Sequence, residues 1–340
     1  MFRKPTVFVI GAGASKEYGL PLGDELKSGI AEDLSFYYGQ GGVLETGNEA
    51  FRQLIQPLYV DNPKLLVPES RTLASILHAR LSVDEALDFV GDNQRLVKVG
   101  KLGIAYQILQ GERKSSLPSK PSVARAERTL QYLPDTWLTT FLSIALSGAR
   151  QGDISSIFDN VTIIDFNYDR VIENYLFLAL MKWSAVTEDI AAAATGRLKI
   201  IKPYGSLGPL PWQDQHNGVE YGDTSAAVRS AASIRTLTEQ IDDKEKVALI
   251  RNTLLAAQVI LFLGFGYHPA NVELLKAQRP QRSSGVYFAT NYRIDSNNDA
   301  ALRAMVASSL NSREELVRLY DMKAGELMMK LRPSIVAAVS

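Results

Sequence analysis

Four segments of the chain place glycines or polar side chains directly after apolar runs of strand length. Glycine lets the backbone approach a phosphate at the N-terminus of a following helix. Carboxamide and carboxylate groups can orient hydroxyls and water. Strand ends of this kind lie side by side in an open parallel sheet. We therefore expect one ligand site built from residues 11–15, 165–169, 202–208 and 263–271.

The first segment, Gly-Ala-Gly-Ala-Ser at 11–15, has the composition of a phosphate-binding turn between a strand and a helix. It meets the dinucleotide fingerprint Gly-x-Gly-x-x-Gly only in part, because Lys16 occupies the third glycine position. The alternative interpretation is a tight strand-to-helix turn with no ligand. A further Gly-Leu-Pro at 19–21 follows it.

The second segment carries Asn167 and Asp169 at the end of a predicted strand. Ligands bind in the crevice at the carboxyl ends of parallel strands, so both side chains are candidates to contact a ligand. The alternative is a helix-capping turn, since Asn and Asp are good N-caps.

The elements that must position these residues alternate between strands and helices. Runs of mainly apolar, β-branched and aromatic residues at 6–10, 161–164, 198–201, 259–263 and 286–289 predict strands buried on both faces. Helical spacing follows several of them, which predicts a doubly wound, Rossmann-like α/β fold with a parallel sheet.

The chain divides by its patterning into a nucleotide-binding core and two helical additions. We predict the core over 1–23 and 151–295, a large helical insertion over 24–150, and a helical C-terminal region over 296–340. Polar stretches at 111–121 and 212–224 predict loops, and 226–255 is predicted to be mostly helical. The helical additions exceed what a five-stranded sheet needs, which favours an interface with a second copy or a partner protein.

Composition removes several classes of function. The chain has no cysteine and three histidines that are far apart, so thiolate metal sites and cysteine nucleophiles are excluded and no metal is expected. Lys plus Arg and Asp plus Glu are 37 each, so nucleic acid is expected as a partner only indirectly, if at all. We expect a cytoplasmic protein without a membrane segment, since no apolar run has spanning length.

Taken together, these motifs resemble the sirtuin-like family, and more narrowly the bacterial sirtuin-like domains of antiphage defence systems. The resemblance covers residues 6 to about 290. It rests on the turns at 11–15 and 19–21, Phe-Asn-Tyr-Asp at 166–169, Tyr-Gly-Ser at 204–206 and Gly-Phe-Gly at 264–266. Deacylating sirtuins also carry a four-cysteine zinc module, which a chain without cysteine lacks.

The resemblance implies roles for individual residues around NAD⁺. Asn167 and Asp169 would lie beside the nicotinamide ribose and orient water. The family's catalytic histidine is replaced, since Tyr204 stands before Gly205. Tyr204 is therefore one catalytic candidate, and His268 is another, with a surface or ion-paired histidine on a turn as its alternative. The remaining contacts would come from the glycine-rich turns, with the diphosphate on Gly11, Ala12, Gly13 and Ser15, and other cofactor contacts on Gly205, Ser206, Gly264 and Gly266.

Two functions follow as expectations from the resemblance. The first is hydrolysis of NAD⁺ to nicotinamide and ADP-ribose in an NAD-depleting defence system. The second is a catalytically silent module that binds NAD⁺ or ADP-ribose as a subunit of a larger defence complex. A nicotinamide dehydrogenase is disfavoured by the incomplete glycine fingerprint.

Overall fold

Six strands form one parallel sheet in the computed structural model, which describes residues 1–118, 136–184, 186–236, 238–239, 243–276 and 284–340. The strand order is β5-β4-β1-β6-β7-β8. A separate antiparallel pair, β2 with β3, lies in the predicted insertion. The strands are β1 (Thr6–Ile10), β2 (Tyr37–Tyr38), β3 (Leu44–Thr46), β4 (Val161–Asp165), β5 (Lys199–Ile201), β6 (Val259–Leu263), β7 (Val286–Thr290) and β8 (Val317–Tyr320).

The order of the strands reverses at β1. From β1 the chain builds outward on one side through β4 and β5, then returns to the other side of β1 for β6, β7 and β8. Loops leaving β4 and β6 therefore diverge from the end of β1 and leave a crevice at the carboxyl edge of the sheet.

Helices cover both faces of this sheet. On one face, Val7, Val9 and Ile260 pack with the helices found within residues 23–114, 244–275 and 299–309. On the other, Phe8, Ile10 and Leu261 pack with the helices found within residues 137–183 and 324–339. Successive side chains of a strand point to opposite faces, so two covered faces require mainly apolar runs. The described α-helices are α1 (Ala12–Ser15), α2 (Gly23–Leu34), α3 (Glu49–Ile55), α4 (Leu66–Ala79), α5 (Val83–Phe89), α6 (Gln94–Lys114), α7 (Trp137–Leu146), α8 (Val171–Trp183), α9 (Glu188–Arg197), α10 (Ala227–Ala231), α11 (Lys244–Ala256), α12 (Pro269–Leu275), α13 (Asp299–Ser309), α14 (Ala324–Lys330) and α15 (Arg332–Val339).

The predicted fold class is confirmed, and each of the five predicted strands is present within a residue of its expected bounds. The division into a core, an insertion and a C-terminal region stays a prediction. Among the residues that the structure describes, no helix is both long enough and apolar enough to span a bilayer.

Three local expectations are wrong. The C-terminal region is not helical throughout, because β8 joins the sheet parallel to β7. The hairpin of β2 and β3 replaces part of the all-helical insertion. The predicted loop at 111–121 begins late, because α6 continues to Lys114, where the buried Glu112 is held by Arg170. Residues 119–135 of the predicted helical insertion lie outside the described residues.

Candidate functional site

A cavity of about 520 Å³ opens at the carboxyl edge of the sheet, where the strand order reverses. Its volume is in the range of small-molecule sites. Turns that follow β1, β4, β6 and β7 line it, together with the start of α5 and the segment before α14. The predicted site residues that line it are Gly11, Ala12, Gly13, Asn167, Asp169, Tyr204, Gly264, Gly266 and His268.

The two glycine turns pack directly against each other. Gly13 donates its N–H to the Gly264 carbonyl oxygen at 3.0 Å. A Cβ at Gly13 would lie 2.8 Å from the Cα of Gly264, and Gly264 has a φ of +59°. These glycines are therefore required by the contact between the turns, whatever the ligand. Gly266 differs, because an added Cβ there would have no described atom within 4 Å.

Asn167 is fixed in place by its amide nitrogen. Nδ2 donates to the Gly11 carbonyl oxygen at 3.1 Å and to Ser15 Oγ at 3.0 Å. The backbone N–H of Asn167 donates to Asp165 Oδ1. No described residue donates to Oδ1 of Asn167, which leaves this oxygen as a positioned acceptor on a cavity-lining side chain. Ser15 lies behind Asn167 and does not line the cavity.

A buried charge cluster supports the turn that carries Asn167. Lys202 Nζ lies 2.6 Å from Asp165 Oδ2 and 3.4 Å from Glu173 Oε1, and it donates to the Asp169 carbonyl oxygen. Burial raises the pKa of Asp165 to about 7 and also raises the pKa of Asp169. The surrounding carboxylates outweigh burial at Lys202 and raise its pKa, so the lysine stays charged.

Asp169 makes a structural hydrogen bond and also lines the cavity. Its Oδ1 accepts the N–H of Val171 at 3.0 Å, in the first turn of α8. The N-cap of α8 is Arg170, which makes no side-chain capping bond, so Asp169 forms a turn before the helix and is not the N-cap that the alternative interpretation predicted. Asp169 also lines the cavity.

Tyr204 lines the cavity, but its hydroxyl is hydrogen-bonded to another side chain. Its hydroxyl donates to Asn271 Oδ1 at 2.6 Å, and its ring contacts Phe166 and Tyr168. Burial raises the pKa of the Tyr204 phenol, so the group is protonated at neutral pH. It can donate a hydrogen bond, and it cannot take a proton as a base under those conditions.

The predicted insertion contributes two acidic residues to the cavity region, which the sequence patterns did not reveal. Asp84 lines the cavity and accepts the Tyr168 hydroxyl at 2.8 Å. Glu85 Oε1 lies 3.1 Å from Nε2 of His268. The His268 imidazole is therefore paired with a carboxylate at the cavity wall, which agrees with the ion-paired alternative for this residue.

A second carboxamide lines the cavity after β7. Asn291 is 4% exposed, and its Nδ2 donates to Asp299 Oδ1 at 2.7 Å. Oδ1 of Asn291 is buried with no hydrogen-bond partner among the described residues. Tyr292 and Lys323 line the same end, and Lys323 Nζ lies 5.4 Å from the centre of the Tyr292 ring. In the sequence, Asn291 could be recognised only by its position directly after a strand, because residues 290–292 contain no glycine.

Gly205 and Ser206 do not line the cavity with the other predicted residues. Gly205 has a φ of +75° and pairs with Ile234, and a Cβ would lie 2.0 Å from the Ser233 carbonyl oxygen. Ser206 Oγ accepts the N–H of Gly208 within its own turn. Both residues therefore have structural explanations outside the cavity.

The fold and cavity define a Rossmann-like α/β protein with a site at the carboxyl ends of its parallel strands. No cluster of three or more histidine or acidic side chains in the described part of the chain is arranged to hold a metal ion. No protein-family model matches the sequence, and a search of curated proteins finds no relative.

Proposed function

We propose that the protein binds NAD⁺ in this cavity and hydrolyses it to nicotinamide and ADP-ribose. The observation that carries the proposal is that two asparagines, Asn167 and Asn291, line one cavity and that neither carboxamide oxygen accepts a hydrogen bond from a described residue. An acceptor without a partner favours a ligand that brings hydroxyl groups.

The strand order sets the separation of these two acceptors. Asn167 follows β4 and Asn291 follows β7, and the strands between them are β1 and β6. Three strand spacings of about 4.8 Å give roughly 14 Å. Between them lie the turns that contain Gly11 and Gly264. Two hydroxyl-binding positions on either side of close backbone turns suit the two riboses and the diphosphate of a dinucleotide.

The residues at the Asn167 end suit cleavage of a glycosidic bond to nicotinamide. That reaction has a cationic leaving group and a transition state with positive charge on the ribose. It requires an oriented ribose, a water molecule and nearby negative charge. Asn167 Oδ1 can accept from a ribose hydroxyl or from water, and two acidic residues, Asp169 and Asp84, line the same cavity.

The resemblance to bacterial antiphage domains supports a role in NAD depletion during infection, with a second copy or another defence protein as partner. The alternative is a silent module that binds NAD⁺ or ADP-ribose. One observation favours it: Tyr204 replaces the family's histidine, donates to Asn271 and has a raised pKa.

The test compares two glycine-to-valine variants. Gly266→Val adds a side chain to the cavity lining where a Cβ has open space, so we expect NAD⁺ affinity to fall at least about tenfold while the protein stays folded. Gly152→Val is the matched control, since Gly152 is exposed, also has open space for a Cβ, and lies outside the cavity. Gly13→Val is unsuitable because its side chain would meet the backbone of Gly264.

Calorimetry measures NAD⁺ affinity, chromatography measures nicotinamide release, and thermal melting checks folding. Equal affinity in wild type and Gly266→Val would reject the cavity as the site. NAD⁺ binding without nicotinamide release, in the presence of candidate defence partners, would reject hydrolysis and support the silent module.

A further inference from the structure

Asp84 is a carboxylate in the cavity wall that the sequence motifs do not account for. It lies in the first turn of α5 and is tied to the core through Tyr168, whose hydroxyl donates to Oδ1 at 2.8 Å. Apart from its own backbone N–H, no other residue in the described part of the chain donates to the Asp84 carboxylate, and no described cation lies within 4.0 Å of it. One oxygen is therefore held in position, and the other is available to a ligand or water.

The location of Asp84 matches the side of the cavity where bond cleavage is proposed. Tyr168 directly follows Asn167 in the chain, and its ring lies 6.2 Å from that of Tyr204, the residue in the place of the family's histidine. Asp84 on α5 and Asn167 after β4 therefore line the same cavity, and the bond from Tyr168 to Asp84 joins the two elements.

We infer that Asp84 is the general base of the reaction, and this inference rests on the proposed hydrolysis of NAD⁺. As the bond between ribose C1′ and the nicotinamide nitrogen breaks, its electron pair goes to nicotinamide. A water oxygen forms the new bond to C1′, and its proton passes to the free carboxylate oxygen of Asp84. Solvent then takes that proton, so the products are nicotinamide, ADP-ribose and one proton.

The surroundings of Asp84 make its carboxylate a stronger base than that of an exposed aspartate. Burial raises its pKa, and the Tyr168 hydroxyl bond and the nearby His268 imidazole oppose that rise. The other titratable groups that face it are Glu85 on its own helix and Tyr204 across the cavity. Since the pKa of both phenols is raised, neither competes for the proton at neutral pH.

The test uses Asp84→Asn, which keeps the shape and an acceptor for Tyr168 but cannot take a proton. We expect kcat for nicotinamide release to fall by about 10²-fold or more, the usual contribution of a general base. Affinity for NAD⁺ should be unchanged. The fall of wild-type kcat toward acid pH should disappear in Asp84→Asn. Asp84→Glu should restore part of the activity.

Asp88→Asn is the matched control, because Asp88 lies one turn further along α5 and is exposed. It should keep wild-type kcat and the wild-type pH profile. If wild type hydrolyses NAD⁺ and Asp84→Asn keeps its kcat, the inference about Asp84 is wrong and the proposed function stands. If wild type binds NAD⁺ without releasing nicotinamide, both the hydrolase proposal and the role of Asp84 are overturned.

Discussion

Asn167 combines a structural and a chemical task in one side chain. Its Nδ2 joins the turn after β4 to the turn after β1, through Gly11 and Ser15, and this leaves Oδ1 as the acceptor on the cavity wall. A fixed acceptor contributes most to the rate if its hydrogen bond to the substrate or to water forms or strengthens as the glycosidic bond breaks. The Nδ2 contacts of Asn167 therefore contribute to folding, and its Oδ1 is the atom that can contribute to turnover.

We therefore predict that Asn167→Ala lowers kcat for nicotinamide release by about 10²-fold, as for the loss of one preorganised polar contact. NAD⁺ affinity should change little. The free energy of unfolding should fall by about 1–3 kcal/mol, because Ser15 and the Gly11 carbonyl lose a partner. Steady-state kinetics, calorimetry and urea unfolding measure the three quantities.

Asn160→Ala provides a control at the other end of β4. Asn160 also donates its Nδ2 to two backbone carbonyls, those of Phe2 and Arg3, but it lies at the amino edge of the sheet. It should lose some stability and keep kcat. Equal effects of the two substitutions on kcat would show that Asn167 acts through folding alone.

At this scale the sequence identified residues in glycine-rich or polar turns after predicted strands and missed a residue that lies on a helix. Asn167, Asp169 and Gly264 stand in such turns and line the cavity. Asp84 could not be identified in this way, because its significance depends on a contact with Tyr168 that is 84 positions away. Gly205 was misplaced because a glycine needed for a positive φ has the same sequence signature as one beside a ligand.

Among the elements, α6 and the start of α8 are joined by a fully buried ion pair. The carboxylate of Glu112, on α6, accepts three hydrogen bonds from Arg170, through its backbone N–H, Nε and Nη2. It also accepts a hydrogen bond from the backbone N–H of Gly222. Arg170 Nη1 donates to the Val219 carbonyl oxygen. Three separate segments therefore meet at one pair, directly after the turn that carries Asn167 and Asp169.

We predict that Glu112→Gln lowers the free energy of unfolding by about 3–5 kcal/mol, because it leaves the Arg170 charge buried without its counter-ion. Denaturant unfolding measures this. The control is Glu326→Gln, which breaks the exposed pair with Lys330 and should have no measurable effect. A Glu112→Gln protein as stable as wild type would show that the buried charge is compensated elsewhere.

Elements with a long and almost uniformly apolar sequence were predicted accurately, and short or partly polar elements were not. Strands β1 and β6 are five residues long, apolar except for Thr6, and buried at every position. Strand β8 was missed because Val317–Tyr320 is short, contains Arg318, and lies between helices. Helix α6 was predicted to stop early because its last turn is polar, although Glu112 in that turn is buried by its pairing with Arg170.

On the scale of the whole molecule, buried carboxyls make stability depend on pH in an unusual direction. Burial raises the pKa of Asp165 to about 7, with Lys202 opposing the shift and Asp169 and Glu173 adding to it. Asp165 keeps its proton in the folded state to a higher pH than in the unfolded chain. Its contribution to stability is therefore fully present at acid pH below its ordinary pKa and is lost as pH rises through about 7.

We predict that the free energy of unfolding falls between pH 5 and 8, and that Asp165→Asn reduces this fall. The reduction should be at least about 1 kcal/mol, since one unit of pKa shift corresponds to about 1.4 kcal/mol. Asn retains an oxygen to accept the N–H of Asn167. Urea unfolding at four pH values across this range measures both slopes.

Asp165→Asn should remove only part of the slope, because burial also raises the pKa of Asp169 and Asp84. Asp214→Asn is the control: hydrogen bonds from Asn217 and His216 lower the pKa of Asp214, so it is ionised throughout pH 5–8 and its loss should leave the slope unchanged. Equal slopes in wild type and Asp165→Asn would mean that Lys202 keeps Asp165 ionised throughout. In that case the ion pair of Lys202 with Asp165 would be intact across the whole range, and the fall of stability with pH would come from other buried carboxyls such as Asp169 and Asp84.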